Sequence, residues 1–207
     1  MQRWHLVALT VLHGAGLLLF VSGVLLTRLE VATRSACAEG LGAGDARHGC
    51  WMPRRFDTAV FVIIDALRYD FAAPDAPVDE HSQTYRGHLP VIGQYLDQQP
   101  RDTRLFRFVA DGPTTTLQRL KGLTTGSLPT FIDVGTNFNS DAIVEDNWVA
   151  QLASHGWHLS FSGDDTWMAV FPEVFDEAHA YPSFNVKDLH GVDEGVIEHL
   201  LPSVHRS

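Results

Sequence analysis

The N-terminus holds the feature that most constrains this chain, an apolar stretch from Trp4 to Leu26 with no Asp, Glu, Lys or Arg. At about 1.5 Å rise per residue, a helix of this length crosses the roughly 30 Å hydrocarbon core of a bilayer. A cleavable signal peptide is the alternative, although its apolar core is normally shorter. The stretch therefore predicts an uncleaved transmembrane signal anchor within residues 1–28, preceded by a cytoplasmic tip.

The two cysteines indicate the compartment of the rest of the chain. Cys37 and Cys50 flank a loop rich in Gly and Ala just beyond the apolar stretch. A disulfide between them would close that loop and stabilise the fold by about 3 kcal/mol. Such a bond needs an oxidising compartment, which would place the bulk of the chain in a lumen or outside the cell. Two unpaired thiols are the alternative, and residues 29–56 are predicted to form a lumenal linker.

The remaining residues, 57–207, have the pattern of an α/β domain. The chain is 45% hydrophobic, which allows a sizeable core, and its net charge of −10 argues against non-specific nucleic-acid binding. Short apolar runs typical of strands alternate with helical patterns, which predicts a mainly parallel sheet flanked by helices. The predicted strands are 58–65, 104–111 and 157–163, and the predicted helices are 88–100, 116–125 and 140–156, with Gly156 as a helix terminator.

Polar side chains follow the predicted strands and helix starts, where ligands of parallel sheets bind. Asp65 ends the run "FVIID", and a carboxylate there needs a metal, an arginine or backbone donors. A salt bridge to Arg68 is the plain alternative, while Asp70 is expected to be solvated or to cap a helix. Asp164 and Asp165 follow a predicted strand and fit either a bound cation or a helix cap.

The run "PTTT" precedes the predicted helix that begins at Thr116. A helix N-terminus offers free N–H groups and a positive dipole, which suit a phosphate or an alkoxide. A threonine hydroxyl attacks only if a base or metal lowers its pKa. The residues alone favour the simpler interpretation, in which Thr115 or Thr116 is an N-cap. Leu117, Leu120 and Leu123 are predicted to face the core.

Several segments together resemble one enzyme family: "FVIIDALRYDF", "GPTTTLQRLKGLTTGSLPTFIDVGTNF", "AIVEDNWVAQL", "SGDDTW" and "YPSFNVKDL". They are similar to the ethanolamine phosphate transferases of glycosylphosphatidylinositol (GPI) anchor synthesis. The resemblance implies an alkaline-phosphatase-like α/β fold in the lumen of the endoplasmic reticulum. It implies zinc-dependent transfer of phosphoethanolamine from phosphatidylethanolamine to a mannose of the GPI precursor. It also implies a small membrane subunit that stabilises the full-length enzyme.

The resemblance assigns roles to individual residues. The aspartate of the "DALR" motif, a metal ligand, falls on Asp65, and the superfamily nucleophile falls on Thr116, which would also contact the metal. Asn137 lies at the spacing of an asparagine that holds a phosphate oxygen in distant relatives. Asp164 and Asp165 belong to the family pattern as candidate substrate-binding residues.

Further zinc ligands of the superfamily are missing from this sequence, which has no Asp-His dipeptide. Zinc takes at least three protein ligands, so Asp65 and Thr116 supply only part of a site. Residues 57–207 are therefore expected to be the N-terminal part of an incomplete catalytic domain, weakly active or inactive alone. Two alternatives stay open: a non-enzymatic membrane-anchored fragment that binds partners of the full enzyme, and a related phosphodiesterase or sulfatase-like hydrolase.

Overall fold

A computed structural model describes residues 2–24, 31–36, 55–75, 77, 79–110, 112, 114–128, 142–183 and 185–206. The chain divides into two compact units, which are described separately below. The first comprises residues 1–60 and 111–207, and the second comprises residues 61–110. Cys37, Cys50 and Asn137 lie outside the described residues.

The first element, α1 (Gln2–Val24), confirms the predicted N-terminal helix. Its described side chains are exposed although they are almost all apolar; Leu18 and Leu19 are each 73% exposed. Among the described residues it is the one helix long and apolar enough to cross a membrane, over Arg3–Gly23.

The first unit contains a small parallel sheet. Strands β1 (Ser160–Asp164) and β2 (Glu177–Tyr181) pair in parallel, with Ser160 opposite Glu177 and Asp164 opposite Tyr181. The short helix α6 (Thr166–Val170) lies in the crossover between them. The prediction for residues 157–163 is confirmed in β1, whereas β2 was not predicted. This is an α/β arrangement, but in the described residues its sheet has two strands.

The last helix, α7 (Gly191–Arg206), packs on both strands. Asp188 Oδ1 accepts hydrogen bonds from the backbone N–H groups of His190 (3.2 Å) and Gly191 (2.8 Å), and so satisfies donors at the helix start. Gly195 is buried at the contact with the sheet, where the ring of Tyr181 leaves no space for a Cβ atom. The close approach of α7 to β2 therefore depends on a glycine.

Two further helices complete the core of the first unit, α4 (Thr116–Thr125) and α5 (Trp148–Ser154). Their apolar faces meet α6 in a cluster of fully buried side chains: Leu117, Val149, Val170 and Phe171. The prediction for Leu120 is also confirmed, whereas Leu123 is 43% exposed and its assignment to the core was wrong. It lies in the last turn of α4, which is followed by Gly126 in a left-handed conformation, with φ 72°.

Helix α5 begins later than predicted. Residues 142–147 precede it as a loop, and Asn147 is the N-cap, since its Oδ1 accepts a hydrogen bond of 2.8 Å from Ala150 N. Ser140 and Asp141, which begin the predicted helix 140–156 as candidate caps, lie outside the described residues. Gly156 follows the helix with φ 78°, which confirms its role as a terminator.

The second unit holds two short helices, α2 (Tyr69–Ala72) and α3 (Pro90–Gln98), which contact each other. Helix α3 confirms the prediction for residues 88–100. The strands predicted at 58–65 and 104–111 are wrong, because none of their described residues belongs to a strand and their apolar side chains are exposed. Phe61 is 60% exposed and Phe106 is 80% exposed. Strand propensity is realised only where a neighbouring strand supplies ladder hydrogen bonds and another layer covers the apolar face.

Candidate functional site

Thr116 is the first residue of α4 and its side chain is exposed. Thr115 occupies the N-cap position with extended ψ of 147°, yet its side chain makes no capping hydrogen bond. Its backbone carbonyl accepts a helical hydrogen bond from Arg119 N at 3.0 Å. The first turn of a helix carries backbone N–H groups that no helical carbonyl accepts, so this end of α4 presents donors and the positive end of the dipole beside an exposed hydroxyl.

The simpler interpretation of the threonine run is confirmed in position only, because Thr115 occupies the N-cap of α4 without a side-chain capping hydrogen bond. In the described residues the hydroxyl of Thr115 is buried and has no hydrogen-bond partner, so it is not a conventional cap. Thr114 is exposed, in keeping with a turn residue. Of the three threonines, Thr115 has an enclosed hydroxyl, while Thr114 and Thr116 are exposed and only Thr116 belongs to the helix.

Asp65 lies in the second unit, immediately before Ala66, whose φ of 56° is unusual for a residue with a Cβ atom. The Ala66 N–H donates to Asp65 Oδ1 at 2.9 Å. The expected position of Asp65 at the end of a strand is wrong, because residues 58–65 are not in one. Asp65 and Thr116 belong to different compact units.

Arg68 donates to Asp70 Oδ2 at 2.7 Å. Arg86 donates to the same oxygen at 3.0 Å, so Asp70 is an ion-pair partner of two arginines and not simply a solvated residue. Burial raises the pKa of Asp70, but the hydrogen bond from Arg86 and the charges of Arg68 and Arg86 outweigh it and hold the pKa below its usual value. The guanidinium of Arg68 also lies 5.1 Å from the ring centroid of Phe71. This cluster organises the chain around α2.

Asp164 and Asp165 stand at the carboxyl end of β1, as the sequence predicted. Asp164 Oδ1 accepts from Thr166 N at 2.8 Å at the start of α6. Asp165 Oδ1 accepts a hydrogen bond from Ser183 N at 3.0 Å. Hydrogen bonds from the side chain and from the backbone of Ser183 lower the pKa of Asp165. The pair therefore orders the turns that follow β1 and β2, and each carboxylate contacts a different turn.

A zinc site requires three or more protein ligands, and the described residues contain no group of three His, Cys, Asp or Glu side chains placed to hold a metal. Asp65 and Thr116 do not by themselves fit a complete zinc site.

The first unit also contains a cleft lined mainly by polar residues, here called the polar cleft, which the sequence did not predict. It has a volume of about 340 Å³ and lies between the end of α4, the start of α5 and residues 35–36. Asp146 is central to it and accepts hydrogen bonds from Ser35 and Gln151. Ser35 and Asp146 are 111 residues apart, so no local pattern relates them. The available signal was weak, an acidic residue beside the N-cap of α5.

Comparison with known proteins decides the relationship. The chain is 52% identical over 204 residues to the mouse "GPI ethanolamine phosphate transferase 3, catalytic subunit" and 50% identical over 204 residues to the human protein of that name. This chain is a homologue of the GPI ethanolamine phosphate transferases 3. The match to the mouse relative covers 92% of this chain and 18% of the mouse protein, and the fission yeast transferase 3 is 44% identical over 192 residues.

The resemblance of the motifs to this family is thereby confirmed. The chain spans about a fifth of the length of the transferase 3 relatives it matches, since the match covers 18% of the mouse and human proteins and 20% of the fission yeast protein. Transferases named type 2 are more distant, with 37% identity over 157 residues for the Aspergillus fumigatus protein. No protein-family model matches the chain, and no solved structure matches it.

Proposed function

We propose that this chain is part of an enzyme that transfers phosphoethanolamine from phosphatidylethanolamine to a mannose of the GPI-anchor precursor. The observation that carries the proposal is the 52% identity over 204 residues to a GPI ethanolamine phosphate transferase 3. The fold adds a specific support, because Thr116 presents its hydroxyl at the N-terminus of a ten-residue helix. That position suits a phosphate group and the negative charge that develops on it.

Thr116 is the proposed nucleophile. Its Oγ attacks the phosphorus of the donor and loses its proton, the bond from phosphorus to the diacylglycerol oxygen breaks, and the leaving oxygen takes up one proton in exchange. The phospho-threonine keeps its ethanolamine. A mannose hydroxyl then attacks the same phosphorus, the bond to Thr116 Oγ breaks, and the proton of the mannose hydroxyl returns to the threonine. The N–H groups at the start of α4 stabilise charge on the phosphoryl oxygens.

The remaining parts of the proposal rest on the resemblance. Asp65 is the proposed zinc ligand, with further ligands from outside the described residues. Asn137, Asp164 and Asp165 are proposed to contact substrate, and Cys37 and Cys50 are proposed to pair. The proposed setting is an alkaline-phosphatase-like domain in the lumen of the endoplasmic reticulum, anchored by α1 and stabilised by a small membrane subunit in the full-length enzyme.

A chimera tests the nucleophile. This chain replaces the matching 204 residues of the mouse relative, and the chimera is expressed in cells that lack the transferase. We expect the chimera to restore phosphoethanolamine transfer and Thr116→Ala to abolish it, because alanine has no oxygen to bond phosphorus. Thr116→Ser should retain part of the activity. Thr114→Ala is the matched control, since it removes an exposed hydroxyl two residues earlier.

Wild-type transfer by Thr116→Ala would refute the role of Thr116. Release of free phosphoethanolamine without an acceptor would favour the hydrolase alternative. The isolated chain is expected to show little or no turnover, because its described residues hold no complete metal site. Stoichiometric zinc together with turnover by the isolated chain would contradict that expectation.

A further inference from the structure

Residues 31–36, here called the strap, are fastened to the start of α5. Asp146 N donates to Val31 O at 3.0 Å, and Ser35 donates to Asp146 Oδ2 from its backbone N (3.0 Å) and from its hydroxyl (2.6 Å). Gln151 Nε2 donates to Ser35 O at 3.0 Å. Hydrogen bonds therefore hold the strap at two points four residues apart, and they link parts of the chain more than a hundred residues apart.

Asp146 is suited to fasten the strap because both of its carboxylate oxygens are engaged. Oδ2 accepts from Ser35, and Oδ1 accepts from Gln151 Nε2 at 2.7 Å. The hydroxyl and backbone N–H of Ser35 lower the pKa of Asp146, and so do Gln151 and the charge of Arg34. The carboxylate is thus ionised at neutral pH, and hydrogen bonds to an ionised group are stronger than neutral ones.

The covalent chain limits how far the strap can lie from α1. Helix α1 ends at Val24, and its 23 residues match the thickness of a hydrocarbon core, so its end falls at the headgroup layer if it crosses a bilayer. From Val24 to Val31 the chain advances seven residues, which span at most about 25 Å when fully extended. Whatever path those residues take, Val31 stays within that distance of the end of α1, and Asp146 lies only one hydrogen bond of 3.0 Å beyond it.

We propose that the strap holds the face of the first unit around Asp146 against the lipid headgroup layer. The polar cleft opens on this face, and its lining includes Ser35 of the strap together with Asp146, Trp148 and Gln151. Docking of the strap therefore both completes the wall of the cleft and keeps the cleft within reach of the membrane surface. The proposal rests on the proposed anchoring of the chain by α1.

Pulsed electron paramagnetic resonance tests the proposal on the 207-residue chain in lipid nanodiscs. Nitroxides are attached through a keto amino acid at Gly23 and Ser154, so that both native cysteines stay untouched. We expect one narrow distance distribution for the wild type. Asp146→Ala should broaden it toward longer distances, because the strap is then free. A nickel-chelating lipid should relax the label at Ser154 strongly in the wild type and less in the variant.

Ser35→Pro is the second variant, since it removes the hydroxyl and the N–H that reach Asp146 while α5 keeps all of its own residues. It should give the same broadening with an unchanged far-ultraviolet circular dichroism spectrum. Asp188→Asn is the matched control, because Asp188 also accepts backbone hydrogen bonds but belongs to the start of α7. It should leave the distribution narrow.

A broad distribution in the wild type, or a narrow one in both variants, would overturn the proposal. Weak relaxation by the nickel lipid despite a narrow distribution would show that the fastened face points away from the bilayer, which also refutes it. Failure of the anchoring itself is recognised separately, because the wild-type chain would then be extracted from membranes at alkaline pH.

Discussion

Strand β1 and the run 58–65 both end on an aspartate and both fall in segments that the sequence predicts to be strands, yet they differ in the structure. Residues 160–164 pair with β2 in parallel and are covered by α7. Residues 58–65 form no strand, and Val62 is 66% exposed. The difference lies outside both segments, because β1 has a neighbouring strand and a covering helix among the described residues. An apolar run is thus not sufficient to produce a strand.

The same contrast holds for aromatic side chains. Phe171 is 2% exposed, and its ring centroid lies 5.6 Å from that of Trp167 and 6.4 Å from that of Phe175. Phe106 is 80% exposed. Aromatic pairs in a core contribute both buried area and specific ring contacts, so the two phenylalanines should differ greatly in their contribution to stability.

The largest expected effect follows from truncating these two rings. Phe171→Ala should lower the free energy of unfolding by about 3–5 kcal/mol, the usual cost of removing a buried aromatic ring. Phe106→Ala should change it by less than about 0.5 kcal/mol, as for exposed substitutions. Urea denaturation in detergent micelles, followed by tryptophan fluorescence, measures both. A loss of several kcal/mol for Phe106→Ala would show that the run 104–111 is packed, and the comparison would fail.

Gly195 of α7 tests how much the covering helix contributes to the stability of the sheet. A Cβ atom at Gly195 would overlap the ring of Tyr181, so Gly195→Ala forces α7 or the ring to move. We expect a cost of about 1–3 kcal/mol, typical of overpacking. Gly112→Ala is the control, because nothing lies within 4 Å of the added atom.

A double substitution identifies the cause of that cost. Tyr181→Val shortens the side chain that the new Cβ meets, so combining it with Gly195→Ala should recover part of the loss. Such coupling is expected only between residues in contact. Purely additive effects would mean that Gly195→Ala acts on the helix by itself and not through the contact with β2.

The sequence predicts an element well when the residues that determine it lie close together along the chain. Helices α3 and α4 were predicted because the apolar spacing that indicates a helix is local. The start of α5 was misplaced because Asn147 competes with earlier cap candidates, and β2 was missed because its alternation is short. The strands at 58–65 and 104–111 were wrong because a strand depends on partners that no local pattern specifies.

The candidate site shows the same division. Asp65 and Thr116 were proposed from motif wording, and the roles of both stay predictions; Thr116 is exposed at the first position of α4. Asp146 was missed because its partner Ser35 is 111 residues away. Residues 29–56 were predicted to be a linker, and nothing in residues 31–36 suggested hydrogen bonds to a distant carboxylate.

The strap should respond to pH, since the hydrogen bonds from Ser35 lower the pKa of Asp146 from 3.8. Because the pKa is lowered on folding, the ionised carboxylate stabilises the folded contact fully above about pH 3.8, its ordinary pKa. This stabilisation is lost as pH falls through the lower pKa that Asp146 has in the folded chain. Amide hydrogen exchange at Ser35 should therefore be slow at pH 5 to 7, after correction for the intrinsic rate, and faster near pH 3. Asp146→Asn should remove most of this pH dependence. An unchanged pH profile in that variant would assign it to another group.

The smallest expected effect concerns Ala66, at the end of the exposed run, where φ is 56°. A left-handed conformation costs an L-residue with a Cβ atom roughly 1–2 kcal/mol, whereas glycine adopts it freely but loses more entropy on folding. Ala66→Gly should therefore stabilise the chain by somewhat less than about 1 kcal/mol, measured by the same urea denaturation. Glu173→Gly is the matched comparison, since Glu173 has φ 58° in the first unit, beside the core. If Glu173→Gly stabilises the chain and Ala66→Gly does not, the backbone at Ala66 relaxes in solution. The exposed run would then differ from β1 in its local backbone order as well as in its lack of a covering layer.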